Sequence, residues 1–234
     1  MKNLFRYILI PVLVISFYSC KKDNYAEPGT FLTGSLMYKG DSVNVERNQV
    51  PFQIYQYGFG KVGAINSTFQ QDGSYSQVLF DGDYKLIIPN GQGPFVYKQT
   101  SSGAPDSLAI TLKGNQTVNL EVTPYYMVRN TQISGSGGNV TASFKAEQII
   151  TDPTMAKDIE RVSLYINNTQ FVSGGNNIAL KDMDGSAITD PNNITLSVAV
   201  PASALTQAYL YARVGIKIVN VEDMIFSPLQ KVQF

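Results

Sequence analysis

The sequence has 234 residues, 18 basic against 18 acidic side chains, and no histidine. A formal net charge of zero argues against nucleic-acid binding, which requires a basic surface. The absence of histidine excludes Ser-His-Asp and Cys-His catalysis, and with a single cysteine in the chain it argues against a zinc site. We therefore expect no enzymatic activity, no metal and no cofactor.

The N-terminus has the pattern of an exported protein. Lys2 and Arg6 precede an apolar run from Tyr7 to Tyr18. This run is shorter than the roughly 20 apolar residues that a membrane-spanning helix needs. A basic start, a short apolar stretch and a small residue before the cleavage point are instead typical of a signal peptide. Residues 1–19 are therefore predicted to be a signal peptide.

Cys20 is the only cysteine and directly follows the predicted signal peptide. It lies where a lipoprotein signal places its lipidated cysteine, and an exposed free thiol outside the cytosol would be a reactive liability. We predict that Cys20 carries lipid and that residues 20–29 form a tether. The protein would then be anchored to the outer membrane, on the cell-surface or the periplasmic face. The alternative is a chance cysteine in an ordinary signal peptide.

From Phe31 onwards, short apolar or alternating runs are separated by Gly, Asn and Asp, which is typical of β-strands. The Asp-Gly pairs at 72–73 and 81–82 favour tight hairpin turns. We predict a β-sandwich domain over residues 30–124. Its predicted strands are Phe31–Tyr38, Val50–Gln56, Gly63–Gln70, Ser74–Phe80, Tyr84–Ile88, Leu108–Leu112 and Thr117–Val122.

Residues 125–234 are predicted to form a second β-sandwich domain, joined to the first by a short hinge at Thr123–Tyr126. The run Tyr209–Ile218 alternates between polar and apolar residues, which predicts one side facing the core and one facing water. Only Met155–Glu160 and Ala202–Ala208 could be helical, each for a turn or two. The predicted strands are Met127–Ser134, Asn139–Ile150, Arg161–Asn167, Ile194–Val200, Ala208–Val219 and Ile225–Phe234.

Aromatic side chains are the main candidates for ligand binding, because sugars stack their C–H faces on aromatic rings. Tyr57 and Phe59 share one face at the end of a predicted strand. Phe95 and Tyr97 lie in the Gly- and Pro-rich loop Asn90–Asp106, and long loops inside compact domains are often functional. For each of these rings the alternative is packing in the core.

Two groups of carboxylates invite other hypotheses. Asp81 and Asp83 could serve as the carboxylate pair of a glycosidase, but Asp beside Gly more commonly stabilises a turn. Asp182, Asp184 and Asp190 could supply oxygen ligands to calcium, although the sequence lacks the glutamate that completes a calcium-binding loop. We expect a polar loop here and no metal site.

The sequence contains the stretches Thr33-Gly34-Ser35, Asp72-Gly73-Ser74-Tyr75, Leu79-Phe80-Asp81-Gly82-Asp83-Tyr84-Lys85-Leu86, Gly93-Pro94-Phe95, Glu121-Val122-Thr123-Pro124-Tyr125-Tyr126 and Ile225-Phe226-Ser227-Pro228-Leu229-Gln230-Lys231. Together these stretches resemble a family of uncharacterised Bacteroidota lipoproteins associated with SusC/SusD-type glycan importers. The resemblance implies a transthyretin-like or carboxypeptidase-regulatory-like first domain and an immunoglobulin-like second domain. It implies no catalytic or binding residues, because none can be carried over from that family.

These observations lead to one leading hypothesis and two alternatives. The leading hypothesis is a non-catalytic outer-membrane lipoprotein, accessory to polysaccharide capture or import, that binds carbohydrate weakly. The first alternative is a structural module that docks on a SusC/SusD-type transporter and has no ligand of its own. The second is a glycosidase that uses Asp81 and Asp83.

Overall fold

The computed structural model describes residues 27–58 and 62–233. The predicted signal peptide, Cys20 and Phe59 lie outside these ranges. Within the ranges, no helix is long and apolar enough to cross a membrane. The helical structure of this part of the chain is a single 3₁₀ turn at Gly185–Ala187, and strands form the rest of its regular structure. The prediction of an all-β protein with two domains is confirmed.

The first domain consists of short strands in two main sheets. Its strands are β1 (Thr30–Tyr38), β2 (Asp41–Ser42), β3 (Pro51–Gln56), β4 (Ala64–Thr68), β5 (Ser74–Leu79), β6 (Gly82–Ile87), β7 (Phe95–Val96), β8 (Leu108–Leu112), β9 (Gln116–Thr117), β10 (Leu120–Glu121) and β11 (Thr123–Pro124). In one sheet, β1 pairs with β2 and β5 antiparallel and with β9 and β10 parallel. The other sheet has the order β4-β3-β6-β8, and β7 pairs with β11 apart from both.

Alternation along the strands of the first domain places its core between the two sheets. Leu32 and Leu36 of β1 are fully buried, and the residues between them on the opposite side are partly exposed. The ring of Phe52 on the facing sheet lies 4.7 Å from that of Phe69 and 5.2 Å from that of Tyr75, centroid to centroid. Aromatic pairs in such tilted arrangements contribute more than their buried area alone.

The two Asp-Gly pairs do not form the predicted hairpins. β4 and β5 lie in different sheets, as do β5 and β6, so the chain crosses between sheets at both pairs. The Asp81 carboxylate accepts hydrogen bonds from the Thr30 hydroxyl (2.7 Å) and the Gly114 amide (3.0 Å), and these bonds lower the pKa of Asp81. The hairpin prediction is wrong because Asp-Gly fits any sharp turn and does not specify which sheet the next strand joins.

The second domain is a two-sheet sandwich. Its elements are β12 (Tyr126–Ser136), β13 (Asn139–Gln148), β14 (Ile159–Asn167), β15 (Ala179–Asp184), the 3₁₀ turn Gly185–Ala187, β16 (Ile194–Ala199), β17 (Tyr209–Ile218), β18 (Ile225–Phe226) and β19 (Gln230–Gln233). One sheet has the order β12-β13-β16. In the other, β14 lies between β15 and β17, and β17 also pairs with β18 and β19. Apolar side chains of both sheets meet in the core between them.

Two expectations about the second domain are wrong. The segment around Asp182 and Asp184, predicted to be a polar loop, is the strand β15. It is an edge strand whose residues are mostly exposed, so it lacks the apolar alternation that identifies a strand in sequence. Neither Met155–Glu160 nor Ala202–Ala208 is helical: a turn ends at Met155 and β14 begins at Ile159, and the second segment consists of turns and bends. Isolated helices this short are unstable because nucleation costs more than one turn of hydrogen bonds returns.

The polar side of β17 does not face water along its whole length, because the first domain covers its middle. Arg213 is 1% exposed. Its guanidinium lies 3.9 Å from the Phe226 ring centroid. It donates hydrogen bonds to the backbone carbonyls of Val45 (3.1 Å) and Gln71 (3.4 Å), which both belong to the first domain. The prediction of a solvent-facing side is thus wrong where the two domains meet.

The predicted hinge at Thr123–Tyr126 is held in place by hydrogen bonds on both sides. Thr123 and Pro124 form β11, which pairs with β7 from the Gly- and Pro-rich loop. The Tyr125 amide donates to the Pro94 carbonyl (3.1 Å), and the Tyr125 carbonyl accepts from the Ile149 amide of the second domain (2.9 Å). The connection between the domains is therefore part of the packed structure and not a free linker.

A buried carboxylate of the second domain also contacts that loop. Asp223 is 8% exposed and accepts a hydrogen bond from the Gly93 amide at 2.7 Å. Burial is the main cause that raises the pKa of Asp223, and the hydrogen bond from Gly93 opposes it. The ionised form is therefore less favourable in the folded protein than in the unfolded chain.

We expect the stability of the protein to depend on pH through Asp223. A folded pKa above the unfolded value gives a contribution that is fully present below the unfolded pKa and is lost as the pH rises through the folded pKa. Asp223→Asn keeps an acceptor for Gly93 but cannot ionise. In urea unfolding, the wild type should gain stability relative to Asp223→Asn as the pH falls from 7.5 to 4.5. A constant difference across this range would contradict the assignment.

Candidate functional site

Phe95 and Tyr97 line one small pocket, which Tyr57 does not line, and Phe59 lies outside the described residues. Tyr57 follows β3 and is 48% exposed, with the Lys85 ammonium 5.4 Å from its ring centroid. Phe95 is 5% exposed and packs in the core, which was the alternative to ligand binding for this ring. Tyr97 is half-buried, and burial together with the nearby Asp106 raises its pKa. Tyr57 alone of the described three offers a freely accessible ring.

Four of the five carboxylates considered from the sequence, all but Asp184 at the end of β15, accept hydrogen bonds within the fold. The Asp83 carboxylate accepts from the Thr111 hydroxyl on the neighbouring strand (2.7 Å). Asp182 lies on the edge strand β15 and not in a loop, and it accepts from the Ser163 hydroxyl (2.5 Å). Asp190 accepts from the Asn192 amide within a turn (2.9 Å). These residues hold strands and turns in place.

A cleft of about 750 Å³ lies on the second domain. It opens where the end of β13, the start of β14, the 3₁₀ turn and the turn before β16 meet. Ligand sites are typically clefts of this size with a few polar groups that fix the ligand. The lining residues are Tyr126, Lys145, Ala146, Glu147, Gln148, Asp158, Ile159, Gly185, Ser186, Ile188, Pro191 and Asn192.

Two backbone contacts fix the walls of the cleft. The Ala146 amide at the end of β13 donates to the Pro191 carbonyl (2.8 Å), which ties the turn before β16 to that strand. A side chain on Gly185 would place its Cβ 1.8 Å from the Ile159 carbonyl oxygen, so the 3₁₀ turn can approach β14 only because this residue is glycine. The walls of the cleft are therefore backbone segments that contact β13 and β14 directly, so the cleft is preformed.

An ion-pair network fixes one charged side of the cleft. The Glu147 carboxylate accepts from Arg129 Nε (2.8 Å), and Arg129 Nη1 donates to Asp41 of the first domain (2.6 Å). Burial alone would lower the pKa of Arg129, but these two carboxylates outweigh it, so the net shift is upward. Glu147 is thus an oriented acceptor, because its partner is itself held from the other domain.

The remaining polar groups of the cleft suit a ligand rich in hydroxyl groups. Asp158, Gln148, Ser186 and Asn192 bring carboxylate, amide and hydroxyl groups into its lining. Tyr126 is 6% exposed and its hydroxyl donates to the Lys157 carbonyl (2.9 Å), so its ring is part of the wall and not a stacking platform. Recognition here would depend on hydrogen bonds more than on aromatic stacking.

Sequence reasoning missed this cleft because its residues come from separate segments. The polar residues at 145–148 continue an ordinary strand, and those at 185–192 resemble any surface turn. Asp158 is the residue directly before β14, and it belongs to no recognisable sequence motif. The nearest available signal was the Gly185 and Pro191 pair of turn residues, which marked a turn but not a site.

Two family models match the chain and together cover most of it. The N-terminal domain model of DUF3823, described as a protein of unknown function, matches residues 30–123. The C-terminal model, DUF3823_C, described as a domain of unknown function, matches residues 126–231. No curated protein matches the chain.

Solved structures of DUF3823 proteins are also similar to this chain. A DUF3823 family protein from Parabacteroides merdae is 34% identical, with a TM-score of 0.76, over 89% of this chain and 100% of that one. A second, from Bacteroides ovatus, is 29% identical, with a TM-score of 0.75, over 87% of this chain and 98% of that one. A Bacteroides uniformis protein, described as a candidate carbohydrate binding protein, shares the fold at 18% identity and a TM-score of 0.67, over 88% and 100%.

Proposed function

Because this chain belongs to the DUF3823 family, we propose that it is a non-catalytic outer-membrane lipoprotein that binds carbohydrate and serves polysaccharide capture or import. The cleft of about 750 Å³ in the second domain is the observation that carries the proposal. The export pattern of the N-terminus and the carbohydrate-binding description of the Bacteroides uniformis protein with this fold support it.

The cleft has the chemistry that an uncharged polysaccharide segment requires. Sugar hydroxyls both donate and accept hydrogen bonds, and the cleft presents acceptors at Asp158 and Glu147 and amides at Gln148 and Asn192. A preformed site limits the ordering cost of binding. With few exposed aromatic faces in the lining, we expect weak binding to one segment, strengthened when a polymer offers many segments.

Affinity electrophoresis of the purified protein in gels containing plant, host or microbial polysaccharides tests the proposal. We expect at least one polysaccharide to retard the protein relative to a non-binding reference. Uniform mobility in all gels would overturn the carbohydrate proposal. Co-purification with a SusC/SusD-type transporter would then favour the alternative, a docking module that has no ligand of its own.

Replacing two polar groups of the cleft should weaken that binding. In the double variant Asp158→Ala/Asn192→Ala, one acceptor and one amide are lost, and each hydrogen bond contributes on the order of 1 kcal/mol. We expect the dissociation constant from titration calorimetry to rise about tenfold or more.

Glu222→Ala is the matched control for this loss, because it removes an exposed carboxylate of the same domain that does not line the cleft. It should bind as the wild type does. Equal affinity of the double variant and this control would move the site elsewhere, and Tyr57→Ala would then be the next variant to measure.

A further inference from the structure

A second, smaller groove lies between the two domains and is separate from the cleft. Its volume is about 260 Å³. Ligand pockets occur preferentially at domain interfaces, where two surfaces create a concave site. Two segments of the first domain and one loop of the second line it, with the residues Arg47, Asn48, Gln49, Gln71, Phe171, Val172, Ser173 and Asn176.

The groove combines a guanidinium, an aromatic ring and several amides. The Arg47 guanidinium lies 4.3 Å from the Phe171 ring centroid, and Phe171 remains 37% exposed. Asn48, Gln49 and Asn176 add amide groups to the lining. A sugar ring could use all three kinds of group, since its hydroxyls bond to amides and its C–H face packs on the aromatic ring.

Hydrogen bonds hold the loop that carries Phe171 in a fixed conformation. The Asn167 side-chain amide donates to the Phe171 carbonyl (2.7 Å) and the Asn176 carbonyl (3.3 Å). The Gln71 side chain of the first domain donates to the Gln170 carbonyl (2.8 Å). The groove is therefore preorganised by bonds within the loop and across the domain interface, which reduces the entropy cost of binding.

The charge of the groove is positive at Arg47. Within residues 27–58 and 62–233, no carboxylate lies within 4.0 Å of Arg47, and its Nε makes one long bond of 3.4 Å to Gln70. Glu46 and Asp72 both act on the buried Arg213, and Glu46 Oε1 would lie 3.8 Å from a Cβ on Gly175 in the loop that carries Phe171. The terminal nitrogens of Arg47 are thus available to an external anion.

We propose that this groove binds an acidic sugar, with the carboxylate of a uronic acid on Arg47 and the ring of the sugar against Phe171. Arginine pairs with carboxylates through two parallel charge-assisted N–H···O bonds, which are stronger than its bonds to the hydroxyls of a neutral sugar. The inference deepens the proposed function, on which it rests for the ligand being a carbohydrate, and it adds acidic polysaccharides to the ligand class.

The test compares an oligogalacturonide with its carboxyl-reduced, neutral form by titration of the purified protein. We expect the acidic form to bind at least about tenfold more tightly than the neutral form. Arg47→Gln should remove this preference, Arg47→Lys should restore part of it, and Phe171→Ala should weaken binding of both forms. Arg161→Gln, which changes an exposed cation paired with Glu160 elsewhere, should leave it unchanged.

The outcomes separate this inference from the proposed function. The cleft variant Asp158→Ala/Asn192→Ala should still bind the acidic oligosaccharide, because it leaves the groove intact. Equal binding of the acidic and neutral forms, equal binding by wild type and Arg47→Gln, or no binding of the oligogalacturonide would overturn the groove site. Retardation by a neutral polysaccharide that depends on the cleft would support the proposed function in any of these cases.

Discussion

The variant Arg213→Ala should lose about 2–4 kcal/mol of unfolding free energy, because truncation leaves a cavity and removes a donor from the buried Val45 carbonyl and the half-buried Gln71 carbonyl. Arg213 is 1% exposed and bonds to the carbonyls of Val45 and Gln71 across the domain interface. Burial lowers the pKa of Arg213 to about 9, and Glu46 and Asp72 offset this only in part. The guanidinium is therefore retained at a desolvation cost.

Urea unfolding measures this loss of stability, and two further variants separate the effect of volume and hydrogen bonds from that of charge. Arg213→Met fills most of the volume but donates no hydrogen bond, so it should lose less than the alanine variant. Arg161→Ala removes a partly exposed cation that pairs with its chain neighbour Glu160 and also interacts with Tyr165, and it should change stability by less than about 1 kcal/mol. If Arg213→Ala and Arg161→Ala lost equally little, Arg213 would not join the domains.

Gly34→Ala should be the most disruptive glycine substitution of the first domain. A Cβ at this position would lie 1.9 Å from the Val118 carbonyl oxygen and 2.8 Å from the Tyr75 ring. β1 has neighbours on both edges, so the backbone cannot move away from Val118 without breaking one ladder. We expect a loss of about 3 kcal/mol or more, as for other overpacked core positions.

Gly63→Ala is the matched control for that substitution, because its Cβ would meet nothing within 4 Å. Its unfolding midpoint in guanidinium chloride should match that of the wild type closely. Near-equal midpoints of Gly34→Ala and Gly63→Ala would show that β1 and the segment at Val118 are not packed as the structure has them.

The main strands could be predicted from the sequence because the alternation of side chains follows directly from one buried and one exposed face. β1, β3 and β16 match their apolar runs within a residue or two. The short strands β7 and β11 could not be predicted, since two residues carry no periodicity. The edge strand β15 was missed for a related reason, as neither of its faces is well buried.

Features that depend on the contact between domains also escaped prediction. Arg213 follows the polar alternation of β17, so the sequence assigns it to water, but contacts with the first domain and with the Phe226 ring bury it. Phe95 lies in a segment rich in Gly and Pro that looked like an open loop, yet the pairing of β7 with β11 turns its ring into the core. Long-range packing overrides local composition at both positions.

The candidate sites were even harder to predict from the sequence, because they too depend on long-range packing. The cleft and the groove are each assembled from segments far apart in the chain, with polar residues that have no fixed spacing. The sequence indicated aromatic rings as the residues that a carbohydrate needs. It pointed to Tyr57 and Phe59 at the end of a predicted strand and to Phe95 and Tyr97 in a loop, but the exposure of a ring is a property of the folded chain.

Amide hydrogen exchange with and without the polysaccharide that retards the protein most tests directly whether this chain binds carbohydrate in the cleft of its second domain. Binding there should slow exchange in residues 145–148, 158–159 and 185–192, which line the cleft. Unchanged exchange in all three segments, with protection confined to other surfaces such as that around Tyr57, would contradict it.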